Sequence, residues 1–332
     1  MYQIEIRENE AGQRLDKFLH KFMPLAPASF FYKMLRKKNI ILNGKKAEGS
    51  EKLSLGDQLS FYLSEETMKG FGKRDEASSI SAPNEYDKAF KELKGILVVY
   101  EDAHVIIMNK PAGILSQKAK PEDLSLNEWM IGYLLAKGFT DAKQLSTFKP
   151  SVCNRLDRNT MGLIIGAKSL AGSQKMSELI RDRKLRKFYR MVVKGCVQKE
   201  EILEGCLFKD EKTNKVRLVE KSSEVKSAYI KTRYYPIKIL KDKTLVEAEL
   251  VTGKPHQIRI HLASTGHPLL GDYKYGDRSW NDRYKQQLHI ISQLLYACRL
   301  EMPKMDAPFE KLSDLVIEAP VPEVFLKLMS DD

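Results

Sequence analysis

Apolar residues along the chain fall into short periodic groups separated by Gly, Pro and Asn breaks. In "GQRLDKFLHKFM", Leu15, Phe18, Leu19 and Phe22 repeat at helical spacing, and Pro24 and Pro27 break that helix. "ASFFYKMLRKKN" predicts a second helix starting near Ala28 or Ser29, with Phe30, Phe31, Met34 and Leu35 turned inward. Two short strands around Asn43-Gly44 follow, then a Gly56-Asp57 turn and a closing strand. Residues 64–94 are rich in Ser, Gly and charge and read as a linker with a little helix at its end. From residue 95, "GILVVYEDAHVIIMNKPAG" predicts strand, turn and strand. "SLNEWMIGYLLAKG" predicts a helix capped by Ser125 with Glu128 three residues on, and Ser169 caps a later helix. "MGLIIGAK", "RKFYRMVVKGCV", "SAYIKTRYYPIKIL" and "KTLVEAELVTG" predict strands, and "HQIRIHLASTG" a short helix ended by Gly266. Strands outnumber helices. The pattern predicts an α+β chain with a small module over 1–63, a linker over 64–94, and one domain over 95–330 on a mixed, mainly antiparallel sheet.

The 332 residues suffice for more than one core. No apolar run is long enough to span a bilayer, and "MYQIEIRENEAGQRL" lacks the build of a signal peptide, so a cytoplasmic protein is expected. The four cysteines are far apart with no C-x-x-C pair, which argues against structural zinc and disulfides. His256 and His261 would lie about 140° apart on a helix with no suitably spaced acid or cysteine nearby, so no metal is expected. Nucleotide-binding glycine motifs are absent and no cofactor is expected. The formal charge of +12 points to a polyanion. Lys33, Arg36, Lys37 and Lys38 fall in the second helix without an acid, which offers a face for RNA phosphates; a solvated helix face is the alternative.

"CNRLDRNTMGLIIGAKS" places Asp157 between Arg155 and Arg158 at the edge of a core strand. A carboxylate there needs a cationic or hydrogen-bonding partner. The residues alone leave open whether Asp157 neutralises one of these arginines or does chemistry.

Several stretches resemble known signatures. "RLDKFL", the basic helix, "ILNGKKA" and "LSLGDQLSF" resemble, in order, the S4-like RNA-binding domain. "NRLDRNTMGLIIGAKS" resembles the H-R-L-D-R-x-T-S-G-L motif of the RluA family of RNA pseudouridine synthases. "ELVTGKPHQIRIHLASTGHPLLGDYKYG", "NKPAGIL" and "KFYRMVVKG" resemble further signatures of that family. The resemblance implies a pseudouridine synthase domain that isomerises uridine on a flipped-out base, most often in large-subunit ribosomal RNA. It implies Asp157 as the catalytic carboxylate, Arg259 as its partner, Tyr189 as the residue that stacks on uracil and helps remove a proton at the end, and Arg155 as the residue filling the vacated RNA stack. The expected partner is RNA, and the expected state a monomer. Alternatives are an RNA-binding protein with an inactive synthase domain, a synthase acting on transfer RNA, and a basic structural protein of the ribosome. Asn154 stands where the motif has His, Met161 where it has Ser, and Lys254 where the second signature has Arg.

Overall fold

The computed structural model describes residues 1–7, 10–71, 82–209, 216–219 and 227–330. Helices Leu15–Phe22 and Ala28–Arg36 pack on a four-stranded sheet in the order Tyr2–Glu5, Gln58–Phe61, Ile40–Leu42, Lys45–Lys46. Asn43 and Gly44 both take left-handed conformations, which suits a tight hairpin between the last two strands. The apolar stripes read from the sequence meet in one core around Phe18, Leu19, Phe31, Leu35 and Phe61. The second helix stops at Arg36, so Lys37 and Lys38 lie beyond it; Lys38 turns left-handed at φ 59°. The strand Tyr2–Glu5 was not foreseen, because only half-buried Ile4 breaks its exposed pattern.

The segment read as a linker carries two helices, Glu65–Phe71 and Ala82–Glu92, and residues 72–81 lie outside the described ones. The second helix is not a spacer. Tyr86 and Ala89 are buried, and the helix packs against Leu126–Ala136. Its contact is close enough that a Cβ on Gly132 would stand 2.2 Å from the Tyr86 carbonyl oxygen. The low apolar content of this stretch hid the helix, since only a few of its residues reach the core.

Strands from residue 97 onward form a second sheet. Its order is Val216–Val219, Glu201–Lys209, Ala228–Ile239, Lys243–Leu250, Arg186–Lys194, Leu295–Glu301, Met161–Ala167, Val105–Lys110, Leu97–Glu101. Two short strands, Ser151–Val152 and Val316–Glu318, pair beside it. Among the described residues, one pairing is parallel, Leu295–Glu301 with Met161–Ala167, and the others are antiparallel. The mixed, mainly antiparallel sheet is as expected.

Central strands are apolar on both faces. Val105, Ile107, Leu163 and Ile165 enter one core, while Ile106, Met108 and Ile164 enter another on the opposite face. Alternate side chains point to opposite faces of a strand, so continuous apolar runs such as "GLIIGA" follow from double burial. Ser125 and Ser169 cap their helices by accepting from the backbone N–H of Asn127 and Gly172. Among the described residues, no helix is long and apolar enough to cross a membrane.

Gly132→Ala should lower stability by about 1–3 kcal/mol, the usual cost of overpacking. Thermal unfolding checks this; an unchanged midpoint would mean that helix Ala82–Glu92 is not held where it is seen.

Candidate active site

The loop before strand Met161–Ala167 is pinned on both sides of Asp157. Ser116 Oγ donates to the Leu156 carbonyl (2.8 Å) and accepts from the Leu156 N–H (3.0 Å). The Arg158 carbonyl accepts from Gly113 N (2.9 Å) and Lys110 Nζ (3.0 Å). Thr160 N donates to the Asp157 carbonyl at 3.0 Å. Gly162 then pairs with Ala297 across the parallel contact. At φ 107°, with a Cβ only 2.2 Å from the Ala297 carbonyl oxygen, that position admits glycine alone. The chain is thereby turned so that Asp157 stands at the end of the central strand.

The Asp157 carboxylate meets a second element. Helix Gln257–Ser264 begins at His256, a left-handed residue at φ 58°. Gln257 fastens the helix start: its Oε1 accepts from Thr252 Oγ1 (2.8 Å) and Lys254 N (3.1 Å), and its Nε2 donates to the Lys231 carbonyl and Thr232 Oγ1, each at 3.0 Å. Arg259 is then aimed at two acids. Its Nε and Nη2 donate to Asp272 at 2.7 and 2.8 Å, and its Nη1 to Asp157 Oδ2 at 3.2 Å. Asp272 is buried and also accepts from the N–H groups of Lys274 (2.9 Å) and Tyr275 (3.1 Å). Burial pushes the Asp272 carboxyl up, but the Arg259 fork and these backbone donors outweigh it and hold it below the ordinary carboxylate range.

Of the partners weighed for Asp157, neither adjacent arginine forms its ion pair. Arg155 and Arg158 are exposed, and the Arg158 guanidinium donates to the Gly113 carbonyl. Asp157 pairs with Arg259 at 3.2 Å, and the His256 Nε2 lies 3.7 Å away. Nor is Asp157 sealed from water: 31% of its side chain is accessible, against 9% for Arg259 and 1% for Asp272. The dry part lies behind the acid, where it orients the acid; the acid itself is reachable.

Tyr189 lies on strand Arg186–Lys194 between two small cross-strand neighbours, Ala248 and Ala297. Its ring is buried in the core on the Asp157 side of the sheet. Burial first, and then the negative charge of Asp157, raises its hydroxyl well above the normal tyrosine range. Lys110 is fully buried, with Nζ on the carbonyls of Pro111, Ile114 and Arg158. Burial pushes its pKa down to about 7 against an opposing pull from Asp157. Asp157, Arg259 and Tyr189 thus come together, whereas Lys33, Arg36, Lys37 and Lys38 sit exposed on the first module. Asp272, Tyr275, His256 and Lys110 were not singled out for this site from the sequence. The signal for Asp272 was an acid following a Gly in "LLGDY", inside the second signature. A separate surface cavity of about 340 Å³ is lined by none of these residues, and its cations are paired, Lys194 with Asp277 and Arg283 with Asp242.

Residues 104–264 match the family model described as RNA pseudouridylate synthase. The chain carries a pseudouridine synthase domain. Ribosomal large subunit pseudouridine synthase C of Vibrio parahaemolyticus is 29% identical over 330 residues, spanning 95% of each chain. The protein of that name from Escherichia coli K12 is 27% identical over 318 residues, 93% of each chain. In fold, the synthase resembles human RNA pseudouridylate synthase domain containing 4, with a TM-score of 0.56 at 22% identity over 74% of this chain and 94% of that one.

His261, on the same helix, is buried with Nδ1 2.9 Å from Thr232 Oγ1 and with Nε2 lacking a partner among the described residues. Burial lowers its pKa to about 4 from 6.5. The unfolded chain therefore binds a proton that the folded synthase refuses. Stability from this group is complete above pH ~6.5 and is lost as pH falls toward 4, at about 1.4 kcal/mol per unit. Between pH 7 and pH 5 the synthase should lose about 2 kcal/mol by this route. In urea unfolding at the two pH values, His261→Gln should show a flatter response than the parent.

Proposed function

We propose that this synthase isomerises a uridine of large-subunit ribosomal RNA in the cytoplasm, with Asp157 as the catalytic carboxylate. The observation that carries the assignment is the buried Asp272–Arg259 fork, which reaches forward to a solvent-accessible acid. An acid paired with a cation and oriented, yet reachable, is what attack on an extruded nucleotide requires. Two long relatives named for the ribosomal large subunit support the choice of RNA. Arg259 orients Asp157. Tyr189, set between alanines beside Asp157, offers its ring to the flipped uracil and helps remove the proton at the end. Exposed Arg155 fills the gap in the RNA stack. Residues 1–63 act as an S4-like RNA-binding module through Lys33, Arg36, Lys37 and Lys38.

Asp157→Asn should fold, bind a ribosomal RNA transcript as tightly as the parent, and form no detectable pseudouridine. A merely structural aspartate would behave in the opposite way, costing about 3–5 kcal/mol while the folded fraction stays active. Thermal midpoint and single-turnover product on one preparation separate the two.

Neutralising Lys33, Arg36, Lys37 and Lys38 together should weaken RNA binding and reduce the slope of log affinity against log salt by about 3. An unchanged slope would remove this face from the RNA interface.

A further inference from the structure

A cation drawn partly out of water needs an anion or a set of carbonyls to offset its lost hydration. Strand Arg186–Lys194 carries four cations, and three have acids. Arg186 meets Glu249 and Glu301 at 2.8 and 2.6 Å, Arg190 meets Glu247 at 2.8 Å, and Lys194 meets Asp277 at 2.5 Å. Lys187 differs. It is half-buried, yet its ammonium has no hydrogen bond and no ion pair among the described residues. Burial pushes its pKa below the ordinary lysine value, with no acid pulling it back.

We propose that Lys187 binds a phosphate of the RNA chain next to the extruded uridine. The inference rests on the reading of Tyr189 as the residue that stacks on that base. Residues two apart on a strand share a face and stand about 6.6 Å apart along it, so Lys187 flanks Tyr189. In a nucleotide the ribose holds the phosphate off the base by a similar length. Across from the ammonium is exposed Gly253, in the loop that leads to His256 and helix Gln257–Ser264. Apart from its own chain neighbours, a Cβ on Gly253 would have one described atom within 4 Å, Lys187 Nζ at 3.7 Å. The ammonium therefore borders an open notch between the strand that carries Tyr189 and the loop before the helix that carries Arg259.

A phosphodiester suits this ammonium. RNA brings one negative charge per nucleotide, and an extruded base carries its flanking phosphates to the mouth of the site. An ammonium is a point charge with three rotatable donors, so it can take one phosphate oxygen without the fixed angle that a guanidinium fork asks. Water and salt screen a half-buried pair less than an exposed one. Lys187 thus differs in role from Lys33, Arg36, Lys37 and Lys38. Those exposed cations meet phosphates wherever the RNA offers them, whereas Lys187 gains its anion only when a nucleotide is seated beside Tyr189.

The test starts from the uridine that the parent converts in a large-subunit ribosomal RNA transcript. RNAs spanning it are ligated with a neutral methylphosphonate in place of the phosphate on its 5′ or its 3′ side. Parent, Lys187→Met and Lys187→Arg are compared for affinity and single-turnover product. On ordinary RNA, Lys187→Met should bind about 10- to 100-fold more weakly, the usual worth of a charged hydrogen bond. Its slope of log affinity against log salt should be smaller by about 1, and Lys187→Arg should keep most of the affinity. At one of the two linkages, the methylphosphonate should cost the parent that same factor and cost Lys187→Met nothing further. Each comparison of charged with neutral RNA is made within one variant, so it does not depend on how much of that variant is folded. Free Lys187→Met should unfold at a temperature no lower than the parent, because no partner within the protein is lost. Parent-like affinity and salt slope in Lys187→Met overturn the proposal. So does a markedly lower thermal midpoint, or a methylphosphonate effect equal in parent and Lys187→Met at both linkages, which is what a structural lysine would give. A parent that makes no pseudouridine would instead overturn the proposed function, and this inference with it.

Discussion

A buried guanidinium has to find anions, and Arg259 finds two. Its fork closes on Asp272, which is itself held by two backbone N–H groups, and its remaining nitrogen reaches Asp157. Position is passed from the backbone of the 272–275 loop to Asp272, on to Arg259, and then to the acid. Such a buried pair adds little net stability compared with apolar packing. What it does here is fix geometry: Asp157 is oriented from a helix about one hundred residues further along the chain. His256 and Tyr275 come from the same two elements, so the ring beside Asp157 is set by the same anchor.

The sheet supplies the rigidity that this arrangement needs. Strands buried on both faces cannot shift without disturbing two cores. Asp157 precedes the strand that makes the parallel contact, and Gly162 lets that strand approach Ala297 closely. Tyr189 lies on the next strand but one, on the same face. On the opposite face Glu247 is buried among Arg190, Arg299 and Tyr235, so strand Lys243–Leu250 is tied to its neighbours from behind. Reacting groups held on such elements are better placed than groups on free loops.

Much of this was legible in the chain because local signals carry it. The double-buried strands, the Asn43-Gly44 turn and the caps at Ser125 and Ser169 depend on neighbours in sequence. The pairing of Asp157 does not. Arg155 and Arg158 are adjacent along the chain, yet a tight loop turns them outward, and the partner comes from position 259, which only the family resemblance supplied. Asp272 was harder still, since a single acid in a turn-rich segment looks like surface until the fold closes over it. Helix Ala82–Glu92 was obscured for a related reason: a helix that offers only a narrow buried face reads as polar sequence. Strand Glu201–Lys209 gave no clean period either, because apolar Ile202 is exposed while Glu201 beside it is half-buried.

The departures from the family motif separate two kinds of motif position. Asn154 stands where His is usual, and its Oδ1 accepts from the Ile165 N–H at 2.8 Å, so it ties the loop to the strand as a hydrogen-bond acceptor. Met161, in place of Ser, packs against the apolar core. Lys254, in place of Arg, is exposed, and its backbone holds Gln257: its N–H donates to the Gln257 Oε1 and its carbonyl accepts from the Gln257 N–H. Each of these positions shapes the backbone, and each tolerates another residue that meets the same need. Asp157, Arg259 and Asp272 differ in kind. A charge at each is answered by a charge at the next, and a change at any one would leave a buried or half-buried ion without its partner. The chain varies where a position demands a fit to the backbone, and keeps the family's residues where charge is handed from the interior to Asp157.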